Sequence, residues 1–424
     1  MNAKKRKPKT KLSSSKKNSA ETRAKNSKQS SKKLLVVLLL VLGGGLLARF
    51  GFQKLEKDRV QAAKDFAYFA ANQGRWAEAE AACQEWATIR PNEREAWEMA
   101  SDMAIERGDF KTAEAYLLQL PEDAPAESLQ KLGYLQMEGL KDPLAAKATC
   151  DETIRRYPSD SETHERLLYY YIMSGQRNQI RTEVDRAMAN NADSLASYAY
   201  LFAAKWLTFT NGYETNQVWL QLYPDNELFQ VASVLHLPSY AFTDVLAKEA
   251  HPEEEAPKPL AYIAERVREL RQDFPSNIEL LAAETRELCR AGEASEVAMR
   301  LTSMPDAAKR DNRFWRFNGW YHSTKEDWDA AKAAYRTALQ LEPFDWSTRL
   351  ELAQAIRASE GVAAAEPVQE LAMKGQRLMS AIQKCPDIRR LEPVSLYEEL
   401  EEYFRACGDP ETADQLSECM QRSL

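Results

Sequence analysis

NRFWRFNGWYHSTKEDWDAAKAAYRTALQLEPFD, residues 312–345, reads as two apolar-periodic helices on either side of a tight turn, closed by Pro343. Proline has no amide proton for a helix interior, so it sits just past an apolar-periodic stretch and stops it. Pro91, Pro158 and Pro275 hold the same relation to other stretches. Toward the N-terminus, AANQGRWAEAEAACQEW (70–86) and ASDMAIERGDFKTAEAYLLQL (100–120) align with Gly74 over Gly108 and Ala79 over Ala113, the same offset in both pairs. A left-handed cap at the end of a first helix wants Gly, and Ala is the small residue needed where two helices approach closely. The unit is therefore helix, turn, helix, repeated.

The whole chain agrees with that unit. Its 424 residues are too many for one ordinary compact core and enough for two or three domains or one extended array. Hydrophobic residues make up 44% and charged residues 29%, a globular balance, while 15 Gly and 18 Pro are too few for a loop-rich sandwich or barrel. The formal charge of -7 is unevenly divided: residues 1–33 hold 13 Lys/Arg and one acid, Glu21, leaving 44 bases against 63 acids in the rest. The tail has no aromatic residue and one large apolar residue, Leu12, so nothing offsets the entropy of ordering it, and disorder is expected. Its Lys and Arg suit loose attraction to anionic lipid headgroups. Nucleic-acid binding is not expected from a lone basic run.

Residues 34–48, LLVVLLLVLGGGLLA, carry no charge, and extension to Phe52 adds only Arg49. That helix would span roughly 28 Å, close to the bilayer's hydrocarbon thickness. Residues 34–52 are expected to form one transmembrane signal anchor, with Arg49 near an end where it can snorkel. A cleaved signal peptide is the alternative, with Gly43 and Gly45 as the small residues before the cut, although the basic region ahead of the apolar run is long for that. The basic flank places the N-terminus in the cytoplasm and the body across the membrane, in the periplasm if the protein is bacterial.

Residues 312–345 resemble the tetratricopeptide repeat (TPR) family, whose pattern is W-x2-L-G-x2-Y, A-x3-F and P within about 34 residues. Trp315, Gly319, Ala331, Tyr335, Ala338 and Pro343 match, with Asn318 in place of Leu and His322 in place of Tyr. Residues 60–93 match through Gly74, Ala79, Trp86 and Pro91; residues 94–126 through Trp97, Gly108, Ala113 and Leu117; residues 127–160 through Tyr134, Ala146, Cys150 and Pro158. The match is weaker over 161–193 and fades between 194 and 260. The resemblance implies an all-α, TPR-like helical-hairpin solenoid, a right-handed superhelix, following the single N-terminal transmembrane helix. Its parts would be an N-terminal array over 55–245, an acidic Pro-rich break over 246–259 containing HPEEEAPKP, and a C-terminal array over 260–424.

The resemblance also implies that the first helix of each unit lines a concave wall on which proteins or peptides dock. Residues there that packing does not require are Lys64, Tyr68, Glu98, Asp102, Glu165, Tyr169, Arg313, Arg316 and Trp320. Arg and Trp at helical spacing would grip an acidic or aromatic segment, since these two residue types dominate interface energetics. Relatives that grip a chaperone's terminal carboxylate use a Lys and Asn pair that no unit here shows. The four histidines are far apart and the six cysteines scattered, no Gly-rich phosphate loop or nucleophile elbow occurs, and no cofactor or metal is expected. Cys83 and Cys150, two units apart, are too distant to bridge, and the cysteines read as small buried hydrophobes. The expected function is a non-enzymatic, membrane-anchored scaffold in an assembly, secretion or quality-control complex. Two other classes compete: a cytoplasmic-facing adaptor whose tail docks ribosome, nucleic acid or anionic lipid, and an enzyme with an unrecognised site.

Overall fold

A computed structural model describes residues 51–204, 211–240, 242–250, 258–385 and 394–423, with isolated residues 49, 209 and 388. Helices and the turns between them make up the described residues, none of which is in a strand. The basic tail and the apolar run at 34–48 lie outside them. Among the described residues no helix is long and apolar enough to cross a membrane.

The repeat is visible in the backbone. Gly74, Gly108 and Gly175 all turn with φ between 69° and 75°, and Lys141 takes the same left-handed conformation at φ 55° although it is not glycine. Later in the chain Gly292 and Glu326 do so, separated by the same interval as Gly74 and Gly108. Each turn ends a first helix, as a left-handed cap does. The second helix then starts on an aspartate at several turns: the side chains of Asp109, Asp142 and Asp327 accept backbone N–H bonds at the starts of Phe110–Leu117, Pro143–Arg156 and Trp328–Leu341. The expected TPR-like hairpins are thus present.

The chain divides into two compact units between Glu122 and Asp123. In the first, the helix over 51–72 buries Ala63, Ala67 and Ala70 with Trp86 of the Trp76–Ile89 helix and Ala96 of Arg94–Glu106. The division falls inside the array expected over 55–245, at a non-helical stretch containing Pro121 and Pro125. Around 246–259, one apolar cluster joins Val231, Leu237 and Ala247 to Tyr262, Val267 and Leu280, so core continues from one side of the Pro-rich stretch to the other.

The second unit departs from simple nearest-neighbour stacking. Every residue of Leu195–Ala203 except Leu195 is buried, so this helix needs cover on all sides. Part of that cover comes from the last hairpin, Val394–Ala406 and Pro410–Ser423. Phe202 meets Tyr403 edge-on at 5.4 Å, and Phe404 lies 4.2 Å from Phe344 between ring centres. Arg422 forks onto Asp193, both bonds 2.8 Å, and Asp193 also accepts from the Tyr198 hydroxyl at 2.8 Å. The sequence pattern fades near 194 because a helix buried all round has no amphipathic period to show.

All six cysteines are thiols, Cys83, Cys150 and Cys419 buried. Burial pushes the Cys83 and Cys150 thiols up to about 12.

Gly212 and His236 form one close approach in this unit. A Cβ on Gly212 would stand 2.3 Å from the imidazole ring, so only Gly lets that ring seat. The ring is wedged between backbones: Nδ1 accepts from the Phe209 amide at 3.2 Å and Nε2 donates to the Met173 carbonyl at 3.1 Å. Burial, aided by the Arg177 cation, lowers its pKa from 6.5 to about 4. The neutral form is the one that fits. The unfolded chain therefore takes up a proton near pH 6.5 and the folded chain only near pH 4, so this contribution is present above pH 6.5 and is lost as pH falls to 4. Denaturation between those limits should show up to about 3 kcal/mol of stability falling with acid, and His236→Gln should flatten the slope.

Candidate functional site

Three successive first helices build the wall that carries Arg316 and Trp320: Ile278–Ala291, Asn312–Thr324 and Trp346–Glu360. Their caps, Asn277, Asp311 and Asp345, recur at one repeat length, and each side chain accepts backbone N–H bonds at its own helix start. Polar bonds one repeat long tie the helices together. Arg313 donates in bidentate fashion to Glu279 at 2.7 and 2.8 Å and to Asp311 at 3.0 and 2.6 Å. Asn312 Nδ2 donates to Asp345 at 3.0 Å, and Arg316 donates to Glu351 at 2.9 Å through Nε and to Ser347 at 2.8 Å.

This geometry changes the part assigned to the arginines. The Arg313 side chain is 6% exposed and enclosed by two carboxylates, one of them on the preceding repeat, so it ties the two repeats together. Burial opposes its charge, but Glu279 and Asp311 outweigh that and raise its pKa well above the usual guanidinium value. Glu279 also meets Arg177 at 3.3 Å. Burial disfavours the Glu279 carboxylate, yet the two arginines hold its pKa below 4.5. Arg316 is likewise occupied by Glu351, while its guanidinium still lines a cavity.

That cavity, about 370 Å³, is walled by Phe317, Trp320 and Trp346, with Arg286 and Arg290 on one side and Glu351 on the other. Trp346 Nε1 and one Glu351 oxygen are shielded from solvent, and the Glu351 carboxylate also hydrogen-bonds with the Tyr335 hydroxyl. Arg290 pairs with Glu287 at 2.9 Å and remains 59% exposed; Arg286 reaches the same carboxylate at 3.3 Å. Burial pushes the Arg286 pKa down, with Glu287 opposing. Cys289 also lines the cavity, and burial raises its thiol to about 12, so it stays protonated at neutral pH. The arrangement offers flat apolar faces with cations at one side and a carboxylate at the other.

The remaining residues singled out from sequence fall elsewhere. Glu165 and Tyr169 share a second cavity of about 590 Å³ with Tyr134, Met137 and Arg166, beside the π-turn Leu135–Gly139. In the first unit Lys64 and Tyr68 both bond Glu95, and Lys64 also lies over the Trp86 ring at 4.6 Å. Glu98 meets Arg94 at 3.5 Å, and Asp102 is exposed. Arg286, Arg290, Trp346 and Glu351 were not singled out. A signal existed: Arg286 stands one full repeat length before Trp320, at the equivalent position of the preceding unit, and so comes beside it. Among the described residues no three His, Cys, Asp or Glu side chains converge to hold a metal ion.

No family model matches the chain, and no curated protein matches it closely enough to count as a relative. Solved helical-repeat structures do overlap it. A tetratricopeptide repeat protein from Parabacteroides merdae is 9% identical over 70% of this chain and 99% of that one, with a TM-score of 0.27. Yeast Tom70 is 12% identical over 90% and 96%, with a TM-score of 0.30. The human IFIT1 dimer with m7Gppp-AAAA is 14% identical over 87% and 93%, with a TM-score of 0.32. Overlaps this loose carry no argument; the helical-repeat fold rests on the recurring caps, turns and cross-repeat bonds described above.

Proposed function

We propose that the protein is a non-enzymatic scaffold, anchored through residues 34–52 with its N-terminus cytoplasmic and its body on the other side of the membrane. It holds a partner protein by inserting an aromatic or acidic side chain of that partner into the Trp320–Trp346 cavity. The observation that supports this is the cavity itself, where Phe317, Trp320 and Trp346 stand beside Arg286 and Arg290. Aromatic and Arg anchors carry most of the energy of such contacts. The apolar run and its basic flank support the anchor and its orientation.

The test is capture of crosslinked partners from membranes. A chain lacking residues 1–54 should be helical and should retain the same partners. Trp320→Ala should weaken capture at least about 30-fold, the size expected of a central aromatic anchor, without altering the helical signal. Capture that is lost with the tail, or indifferent to Trp320→Ala, would move the binding function away from this cavity. Protease added to intact spheroplasts should digest the body.

A further inference from the structure

The helix over 51–72 uses one face for its own unit, burying Ala63, Ala67 and Ala70. A second face, turned by about 100° from the first, carries Phe52, Leu55, Arg59, Ala62, Phe66 and Phe69, at alternating spacings of three and four residues, and all six are exposed. The exposure is large for such side chains: 72% for Phe52, 59% for Leu55, 43% for Phe66 and 55% for Phe69. Arg75 stacks on Phe66 and Phe69 at 5.7 and 5.3 Å and still leaves them this open. A three-four alternation sustained over three turns or more is the seam by which one helix packs along another, with knobs seated in holes. Scattered surface hydrophobes do not keep such a register.

We infer that this seam pairs with the same seam on a second copy of the chain, the two 51–72 helices running parallel. The inference uses the anchor proposed above and is independent of the Trp320 cavity. Three observations select a second copy. The apolar run ends where this helix begins, so two tethered chains present their seams in the same direction, as a symmetric parallel pair requires. Arg59, the one charge in the seam, is drawn aside by Glu85 at 2.7 Å, which turns it away from the Arg59 that symmetric parallel pairing brings into the same layer.

The third observation is the size of the seam. Four large side chains at these exposures offer on the order of 400 Å² per chain. Two chains together bury about 800 Å², below the roughly 1,200 Å² of a stable specific interface and in the range of weak contacts. Pairing should accordingly be weak between untethered bodies and become dominant when a shared bilayer raises the effective concentration.

The experiment places a photocrosslinking phenylalanine analogue at Phe66, and separately at the exposed Lys111, in the full chain reconstituted in lipid vesicles. The Phe66 probe should give crosslinked homodimer at least ten times the yield of the Lys111 probe. Phe52→Glu with Phe69→Glu should reduce that yield at least ten-fold while the far-ultraviolet helix signal is kept. Equal yields from the two probes, insensitivity to the double substitution, or Phe66 crosslinks to lipid in place of protein would each overturn the pairing. Partner capture through Trp320, measured on the same double variant, should be unchanged, which separates this result from the fate of the cavity.

Discussion

Replacing Phe404 with alanine is expected to cost residues 123–424 about 3–5 kcal/mol, the loss seen when a large buried aromatic leaves an unfilled cavity. Phe404 is fully buried, against Phe344 at 4.2 Å and Phe202 at 6.4 Å. A domain of this kind holds about 5–15 kcal/mol in total, so the midpoint of chemical denaturation should move far. The distribution of the damage is as informative as its size. In an open array each repeat contacts only its neighbours, and a lesion in the last hairpin frays that end alone. Here the last hairpin covers Leu195–Ala203, so amide exchange should quicken at 196–203 as well as at 396–404. Ending the chain after residue 393 should be harsher, uncovering Tyr198 and Phe202 together and leading to aggregation. Lys374→Ala, which removes an ion pair to the exposed Glu402, is the control, with a change below about 1 kcal/mol. Unchanged exchange at 196–203 in Phe404→Ala would show that the two segments are not energetically joined.

The hairpin repeat was legible in the sequence because it rests on local chemistry: Gly74 and Gly108 do adopt the left-handed turn, and Pro343 does follow a helix ending at Leu341. Lys141 and Glu326 make the same turn without Gly, so a scan for glycine passes over them. Long-range closure was not legible. Nothing near Leu195 says that the far C-terminal hairpin will cover it, and continuous burial erases the period that marks a helix. At the wall, Trp320 lines a cavity, whereas Arg313 is enclosed by carboxylates. Side-chain type and helix face do not reveal whether a carboxylate one repeat away claims an arginine. Aligning Glu279 with Arg313, and Arg316 with Glu351, shows that register supplies the partners.

Arg313→Ala should therefore destabilise strongly, by about 3–5 kcal/mol, because it leaves two carboxylates in a buried place with Arg177 as the one cation still beside Glu279. The side chains of Glu279 and Asp311 are only 15% and 2% exposed, so water cannot replace the guanidinium. The effect should depend on pH, and its sign follows from Glu279. In the native protein burial opposes its ionisation but Arg313 and Arg177 hold its pKa below 4.5, so its contribution is present above pH 4.5 and is lost as pH falls through the depressed value. Without Arg313 burial gains the upper hand and the folded-state pKa rises. Protonation then relieves the variant while pH is still above the range in which the native protein begins to lose this contribution. The gap between the two should be widest near neutral pH and should narrow as pH is lowered toward 4. Arg313→Met combined with Glu279→Leu and Asp311→Asn keeps the cap at Asp311 and removes the charges together, and it should recover most of the loss. Arg290→Ala, at an exposed side chain of the cavity, should leave the denaturation midpoint nearly fixed. A gap that stays constant from pH 7 to pH 4 would mean that the carboxylates beside Arg313 are solvated and that the arginine only fills space.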